Sequence, residues 1–283
     1  MAQATNPVAQ QRRLRTELRR ARDRANRTQR DVAEELDWST SKIIRIETGA
    51  VNISTTDLRA LLAFYGEPAE RIAELVEVAK ASRQQAWWDK YKGKLSKELS
   101  ALLELESATS LIRQFQTLVI PGLLQTEDYA REILRLYSRE DELDFKVKTR
   151  LERQRLVLEE GGPKAFFVID EAALRRWVGG PAVFRAQLEH LKELNRRPAV
   201  SIQVLTFDKG VHRGIRGNFE VFEFPDDQDH VVYLEWPSGV QVIQNDTAQA
   251  SNFVEIFLEL EGLAEPSDRL DAVIDRLLEE VPR

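Results

Sequence analysis

The sequence predicts a multidomain chain, an all-α head of five helices over residues 1–83 followed by an α+β domain over residues 84–283. Three observations carry this. Through the first 80 or so residues, apolar side chains recur at helical spacing in short segments separated by capping residues. From Ala165 onward, strand-length apolar and alternating runs appear between helical segments. Charge is also split along the chain. The 283 residues have a formal net charge of −6, yet residues 1–30 hold nine Arg against two acidic residues. Residues 1–83 hold 15 Lys+Arg against 12 Asp+Glu, and the remainder holds 26 against 35. A basic start joined to an acidic body fits a polyanion-binding head on a body that does not bind polyanions.

Composition narrows the class further. With 42% hydrophobic and 31% charged residues the chain is expected to be globular. It has no apolar run near 18 residues, so no transmembrane helix is indicated. The stretch MAQATNPVAQQRR lacks an apolar h-region and does not read as a secretory signal. Zero Cys removes disulfide and thiolate chemistry and fits a cytoplasmic protein.

Taken in order, residues 1–9 are small and polar and read as a loose arm. Gln10 to Arg24 is a helix with Leu14, Leu18 and Ala21 on one face. Its other face, Arg12, Arg13, Arg15, Arg19 and Arg20, is placed to rest on a phosphate backbone. Thr28 caps a second helix, with Asp31 at capping-box spacing and Val32, Ala33 and Leu36 inward. The Asp37-Trp38 step breaks the pattern, and Ser39 caps a third helix that ends at Gly49. There Ile43 and Ile46 point one way. Thr40, Ile44 and Thr48 share another face at i, i+4 and i+8, with Ser41 and Arg45 beside them. A core-facing helix does not normally present Thr, Ser and Arg together. A helix lying in a DNA major groove does, because those side chains meet base edges and phosphates. Ser54 caps a fourth helix through Tyr65, with Leu58, Leu61, Leu62 and Phe64, and Gly66 ends it. Pro68 opens a fifth, with Ile72, Leu75, Val76 and Ala79 inward. Leu18, Val32, Leu36, Ile43, Ile46, Leu58 and Leu61 form the expected common core.

The stretch Thr28 to Gly49 resembles the helix-turn-helix of the Xre (Cro/CI-type) bacterial regulators, which have a lambda-repressor-like five-helix fold. Thr28, Gln29, Ala33, Ser39, Ile43, Ile46, Glu47 and Gly49 carry the match, which spans roughly residues 10–80; Arg19 and Arg22 fit the LRxxR pattern upstream. The resemblance implies that Gln29 touches phosphate, that Thr40, Ser41, Ile44 and Arg45 face the groove with Arg30, Ser39 and Lys42 beside them, and that Arg22 pairs with Glu47. The chain departs from the pattern at Asn26-Arg27, where the family usually has Gly and an apolar residue; Asn tolerates a left-handed conformation better than most.

Residues 81–93 read as the junction, with adjacent Trp87 and Trp88 packed at a domain interface or offered to a partner. Leu95 to Leu111 is a helical pattern. The next residues are extended, turn at Pro121-Gly122, and restart a helix capped by Thr126. Further helices are expected over Asp141–Glu159, Pro181–Leu194 and Thr247–Leu260, and a last one capped by Ser267 ends near Glu280. Ala165–Asp170, Val200–Phe207, Phe219–Phe224, Val231–Trp236 and Val240–Ile243 read as strands. The strings IRQFQTLVIPGLLQTEDYAR, RLERQR, VIDEAALRRWVGGPAVFRAQLEHL, VSIQVLTFDKGVHRG and VVYLEW look like the C-terminal domain of the actinobacterial antitoxin-like, WhiJ-type regulators. That resemblance, over roughly residues 85–275, implies a transcriptional regulator working with a small protein encoded nearby.

The expected function is therefore sequence-specific binding of a double-stranded operator by a homodimer, through helix Ser39–Thr48. The second domain would serve dimerisation and the binding of an effector or partner. The alternative is an antitoxin-like protein whose main role is to bind a small partner, with DNA binding for autoregulation. No catalytic residue, metal or cofactor is expected. His190, His212 and His230 are scattered, no HExxH, P-loop or GxSxG motif occurs, and Cys is absent. In GVHRGIRGN, His212 and Arg216 could gather an anion near Glu235, or the loop is simply solvated. The turn before the Thr126 helix, with Gln125 and Thr126, together with Trp87 and Trp88, is the expected docking place for an effector or partner.

Overall fold

The computed structural model describes residues 6–91, 93–159, 161–224, 230–236, 239–244 and 246–282. The chain divides into two compact units, residues 1–108 and 109–283. The first is all-α and the second is α+β around a sheet.

In the first unit, helices α1 (Pro7–Arg24), α2 (Gln29–Glu35), α3 (Thr40–Thr48), α4 (Thr55–Phe64) and α5 (Ala69–Ala81) follow the expected order. Thr28 and Asp31 form the reciprocal capping box, and Ser39 and Ser54 cap α3 and α4 through their hydroxyls. The two tight turns use left-handed residues other than glycine. Asn26 and Asp37 both have φ +53°. The amide of Arg27 then reaches the carbonyl of Arg22 at 3.2 Å, and that of Trp38 reaches Ala33 at 2.8 Å. These are Schellman closures, in which a short polar side chain stands where glycine is usual. Leu18, Val32, Ile43, Ile46, Leu58 and Leu61 are buried together, and Leu36 packs against them from a partly exposed position.

Two expectations shift here. Residues 6–9 are not a loose arm: Asn6 caps α1 and Pro7 opens it, and residues 1–5 lie outside the described residues. Helix α6 is Lys97–Ala108, shorter than Leu95–Leu111, and it packs on α1. The Asn6 amide also donates to the carbonyl of Ser107 at 2.8 Å. The first unit therefore runs to residue 108 rather than 83, because the segment after α5 folds back on α1.

The second unit holds β1 (Leu111–Gln116), α7 (Glu127–Arg135), α8 (Glu140–Val157), β2 (Lys164–Asp170), α9 (Gly180–Asn195) and β3 (Val200–Leu205). It continues with β4 (Phe219–Glu223), β5 (Val231–Trp236), β6 (Gly239–Ile243), α10 (Thr247–Leu263) and α11 (Leu270–Glu280). The described strands form one six-stranded sheet in the order β3-β2-β1-β4-β5-β6. β1, β2 and β3 are parallel, and β4, β5 and β6 join antiparallel. Leu111 thus opens the central strand instead of ending a helix. One face of the sheet, with Phe115, Val168, Phe219, Val221 and Val232, packs on α10 through Phe257 and Leu260. Ser267 lies in a 3-10 turn (Ser267–Arg269), without the expected side-chain cap, and α11 starts at Leu270.

Candidate nucleic-acid interface

Helix α3 is amphipathic in an unusual sense. Ile43, Ile46 and Glu47 are buried, whereas Ser39, Thr40, Ser41, Ile44, Arg45 and Thr48 are exposed. Ile44 is 42% exposed. It shares this exposed face with Thr40, Ser41 and Arg45. Ser39 spends its hydroxyl on the amide of Lys42 at 3.2 Å, and Thr48 donates back to the carbonyl of Ile44 at 2.8 Å. Among the described residues Arg45 makes no ion pair, and Thr40 and Ser41 stand exposed at the helix start. An open row of Thr40, Ser41, Ile44 and Arg45 is what remains.

Behind that row the helix is fixed by a polar knot. Arg22 Nε donates to Glu47 Oε1 at 2.7 Å, and its Nη2 lies 3.4 Å from Oε2. Gln29 Nε2 donates to the same Oε2 at 2.7 Å. Burial alone would lower the Arg22 pKa, but hydrogen bonding to Glu47 and its negative charge outweigh this and raise it, so Arg22 stays charged. At the helix end Gly49 has φ +78°, and a Cβ there would lie 2.5 Å from Arg15 Nη1. Arg15 itself donates to the carbonyl of Thr48 at 2.9 Å.

Several expected contacts are therefore engaged inside the chain. Gln29, expected on phosphate, holds Glu47. Lys42 sits 3.1 Å from Asp57 and 3.5 Å above the Trp38 ring. Arg30 pairs with Glu34 at 2.9 Å while remaining exposed. Of the arginines on α1, Arg13 pairs with Glu74 and Arg15 reaches Thr48, so α1 does not present a uniformly open basic face. Trp38 and Asp57 are the residues that sequence reading missed. The i, i+4 spacing of Trp38 and Lys42 was the available signal.

In the second unit the structure separates the expected site residues. Gln125 is 2% exposed. It donates to the carbonyl of Ile120 at 2.8 Å and accepts from Arg150 at 2.5 Å. Thr126 caps α7, and its amide donates to Gln187 Oε1 at 2.7 Å. This turn is a closed internal structure, which removes it as a docking surface. Trp88 is buried and Trp87 packs edge-on against it, both within the first unit. His212 is nearly buried, with Nε2 3.6 Å from Asp170 Oδ2 and its ring edge-on to Phe115. Arg216 and Glu235 are exposed, and among the described residues no hydrogen bond or ion pair joins either to His212 or to each other. The expected anion site is not assembled. Beside it, Glu171, Arg175, Thr206, Asp208, Glu265 and Arg276 line an open polar cleft of about 300 Å³. Among the described residues no group of His, Asp and Glu is arranged to hold a metal ion. No described helix is long and apolar enough to cross a membrane.

Against known proteins, a family model described as "Helix-turn-helix domain" matches residues 13–75. A second, described as "Domain of unknown function (DUF5753)", matches residues 99–276. No curated protein and no solved structure matches the chain.

Proposed function

The chain belongs to the family of the domain of unknown function DUF5753 and carries a helix-turn-helix domain at its head, and from that premise we propose that it is a sequence-specific transcriptional regulator of the Xre type. One observation carries the reading. The buried side of α3 is knotted to α1 and α2 through Glu47, while Thr40, Ser41, Ile44 and Arg45 stand open on its other side. In a major groove Arg45 reaches guanine O6 and N7, Thr40 and Ser41 reach base edges or phosphate, and Ile44 meets a thymine methyl.

A single head reads one half-site, and paired half-sites lie about 34–36 Å apart. We therefore read the chain as a homodimer on a two-fold operator. The second unit, 22 Lys+Arg against 31 Asp+Glu over residues 109–283, adds no phosphate contacts and holds the copies together. The test is a titration of operator and of random duplex. Arg45→Ala is expected to cost about 1–3 kcal/mol on the operator and to relax specificity at one base pair. Equal losses on both duplexes would make Arg45 a phosphate contact and overturn the base-reading role.

A further inference from the structure

We infer that β6, the bare outer strand of the second unit's sheet, pairs antiparallel with β6 of a second copy of this chain; this rests on the two-fold reading of the operator above. The sheet has two outer strands, β3 and β6. Along β3 the outward backbone is closed from within. The amide of Val200 donates to the carbonyl of Arg197 at 3.0 Å, that of Ile202 donates to Asn195 Oδ1 at 2.8 Å, and the carbonyl of Val204 accepts from the amide of Glu265 at 2.8 Å. Along β6 nothing comparable occurs among the described residues: it pairs with β5, and its other side takes no hydrogen bond. Outer strands are usually guarded against pairing by Lys, Pro, a bulge or a cover. GVQVI, the whole of β6, carries no charge and no proline, and its register with β5 runs unbroken from Gly239 to Ile243.

The register shows which groups face outward. Trp236 pairs with Gly239 across only two residues, and a pair that close exchanges its hydrogen bonds between its own members. Such pairs alternate along an antiparallel ladder, so Gln241 and Ile243 also spend their backbone on β5. Val240 and Val242 therefore turn N–H and C=O to the open side, where an incoming strand can add to the sheet.

The side chains select the occupant. A two-fold axis through Gln241 sets Val240 of each copy against Val242 of the other. Each of these pairs exchanges two backbone hydrogen bonds, and β-branched cross-strand pairs favour a sheet. Gln241 then faces its own counterpart in a pair of the closer kind. A primary amide both donates and accepts, so glutamine is complementary to itself where a charged residue would repel. Glu235 stands behind Val240 on β5, and its two copies lie three strand spacings apart, about 14 Å, so they do not clash. A foreign strand would need valines flanking a neutral polar centre, which this chain already supplies.

Sedimentation equilibrium of the full chain tests this at the axis. The wild type is expected to be a dimer. Gln241→Lys and Gln241→Glu each bring like charges together and should raise the dissociation constant about tenfold or more, whereas an equimolar mixture of the two should recover the wild-type value. Gln241 is exposed, so the circular dichroism of both variants should match wild type. Val242→Pro, which deletes an outward N–H and leaves the β5 ladder whole, should dissociate the dimer as well. Variants that sediment like wild type, or a mixture no tighter than its components, overturn the inference. A monomeric wild type whose operator binding still depends on Arg45 also overturns it and leaves the DNA-reading proposal standing. A dimer that responds to charge at position 241 as expected, but in which Arg45→Ala loses equally on operator and random duplex, does the opposite.

Discussion

At the residue scale the head turns on Glu47. It is a buried carboxylate whose two oxygens take hydrogen bonds from Arg22 and Gln29. Removing one partner of such a pair strands a charge in a poor solvent. Arg22→Ala is expected to cost about 3 kcal/mol, the lower end for a buried pair because Arg22 keeps one edge in water. A fall in the head's melting temperature checks it; an unchanged melt with weaker DNA binding would make Arg22 a phosphate ligand instead. The Arg22–Glu47 pair was legible through the family pattern. The engagement of Gln29 was not, because a glutamine opening a helix reads the same whether its amide serves a phosphate or a carboxylate on another helix. A second residue-scale expectation concerns Asp31. Its pKa is lowered by the backbone amide and hydroxyl of Thr28. A lowered carboxylate stabilises the fold above its unfolded value and loses that contribution as pH falls through the folded one, so the window lies below about 3.9. Asp31→Asn should therefore flatten the acid side of the melting-temperature profile, and an identical profile would count against the capping box.

At the element scale, legibility followed burial. β2 is a parallel strand with buried neighbours, and it reads as the continuous apolar run AFFVID. β1 is equally central, yet its sequence is LIRQFQ. Its polar residues are matched across the sheet, Gln114 to Glu220 at 3.0 Å and Arg113 to Glu223 at 2.7 Å. One strand alone cannot reveal such pairs, so the sequence suggested only an extended segment. The turn between β1 and α7 was hidden for a related reason. Gln187, fully buried on α9, donates to the carbonyl of Leu124 at 2.7 Å and accepts from the amide of Thr126. It holds in place a turn that lies far away in sequence. Gln187→Leu leaves both backbone groups unpaired, each costing about 1–3 kcal/mol, and a lower urea midpoint with unchanged slope is the expected result.

For the whole molecule, the charge split survives the revised boundary. Residues 1–108 carry 19 Lys+Arg against 16 Asp+Glu. Much of that positive charge is nonetheless tied down, Arg13 to Glu74 and Arg24 to Glu67. On the proposed reading, such anchoring would limit affinity for DNA of any sequence and leave discrimination to α3. Glu74→Gln should release Arg13 and raise affinity for random duplex. The logarithmic salt slope should steepen by about 0.9 for each arginine that gains a phosphate. An unchanged slope would show that Arg13 faces away from DNA. The two-unit plan was visible in sequence texture, while its boundary was not, since the return of α6 onto α1 depends on contacts between segments far apart in the chain.

Asn6 serves two masters. Its Oδ1 caps α1 through the amide of Val8 at 3.0 Å, and its Nδ2 fastens the last turn of α6 at Ser107. Four residues later the chain enters the central strand of the other unit. Trimming the amino end to Gln10 would remove both the cap of α1 and its tie to α6. Asn6→Asp separates the two duties: the cap survives, the fastening goes, and the difference in protease sensitivity near Ser107 gauges how tightly that tie was closed.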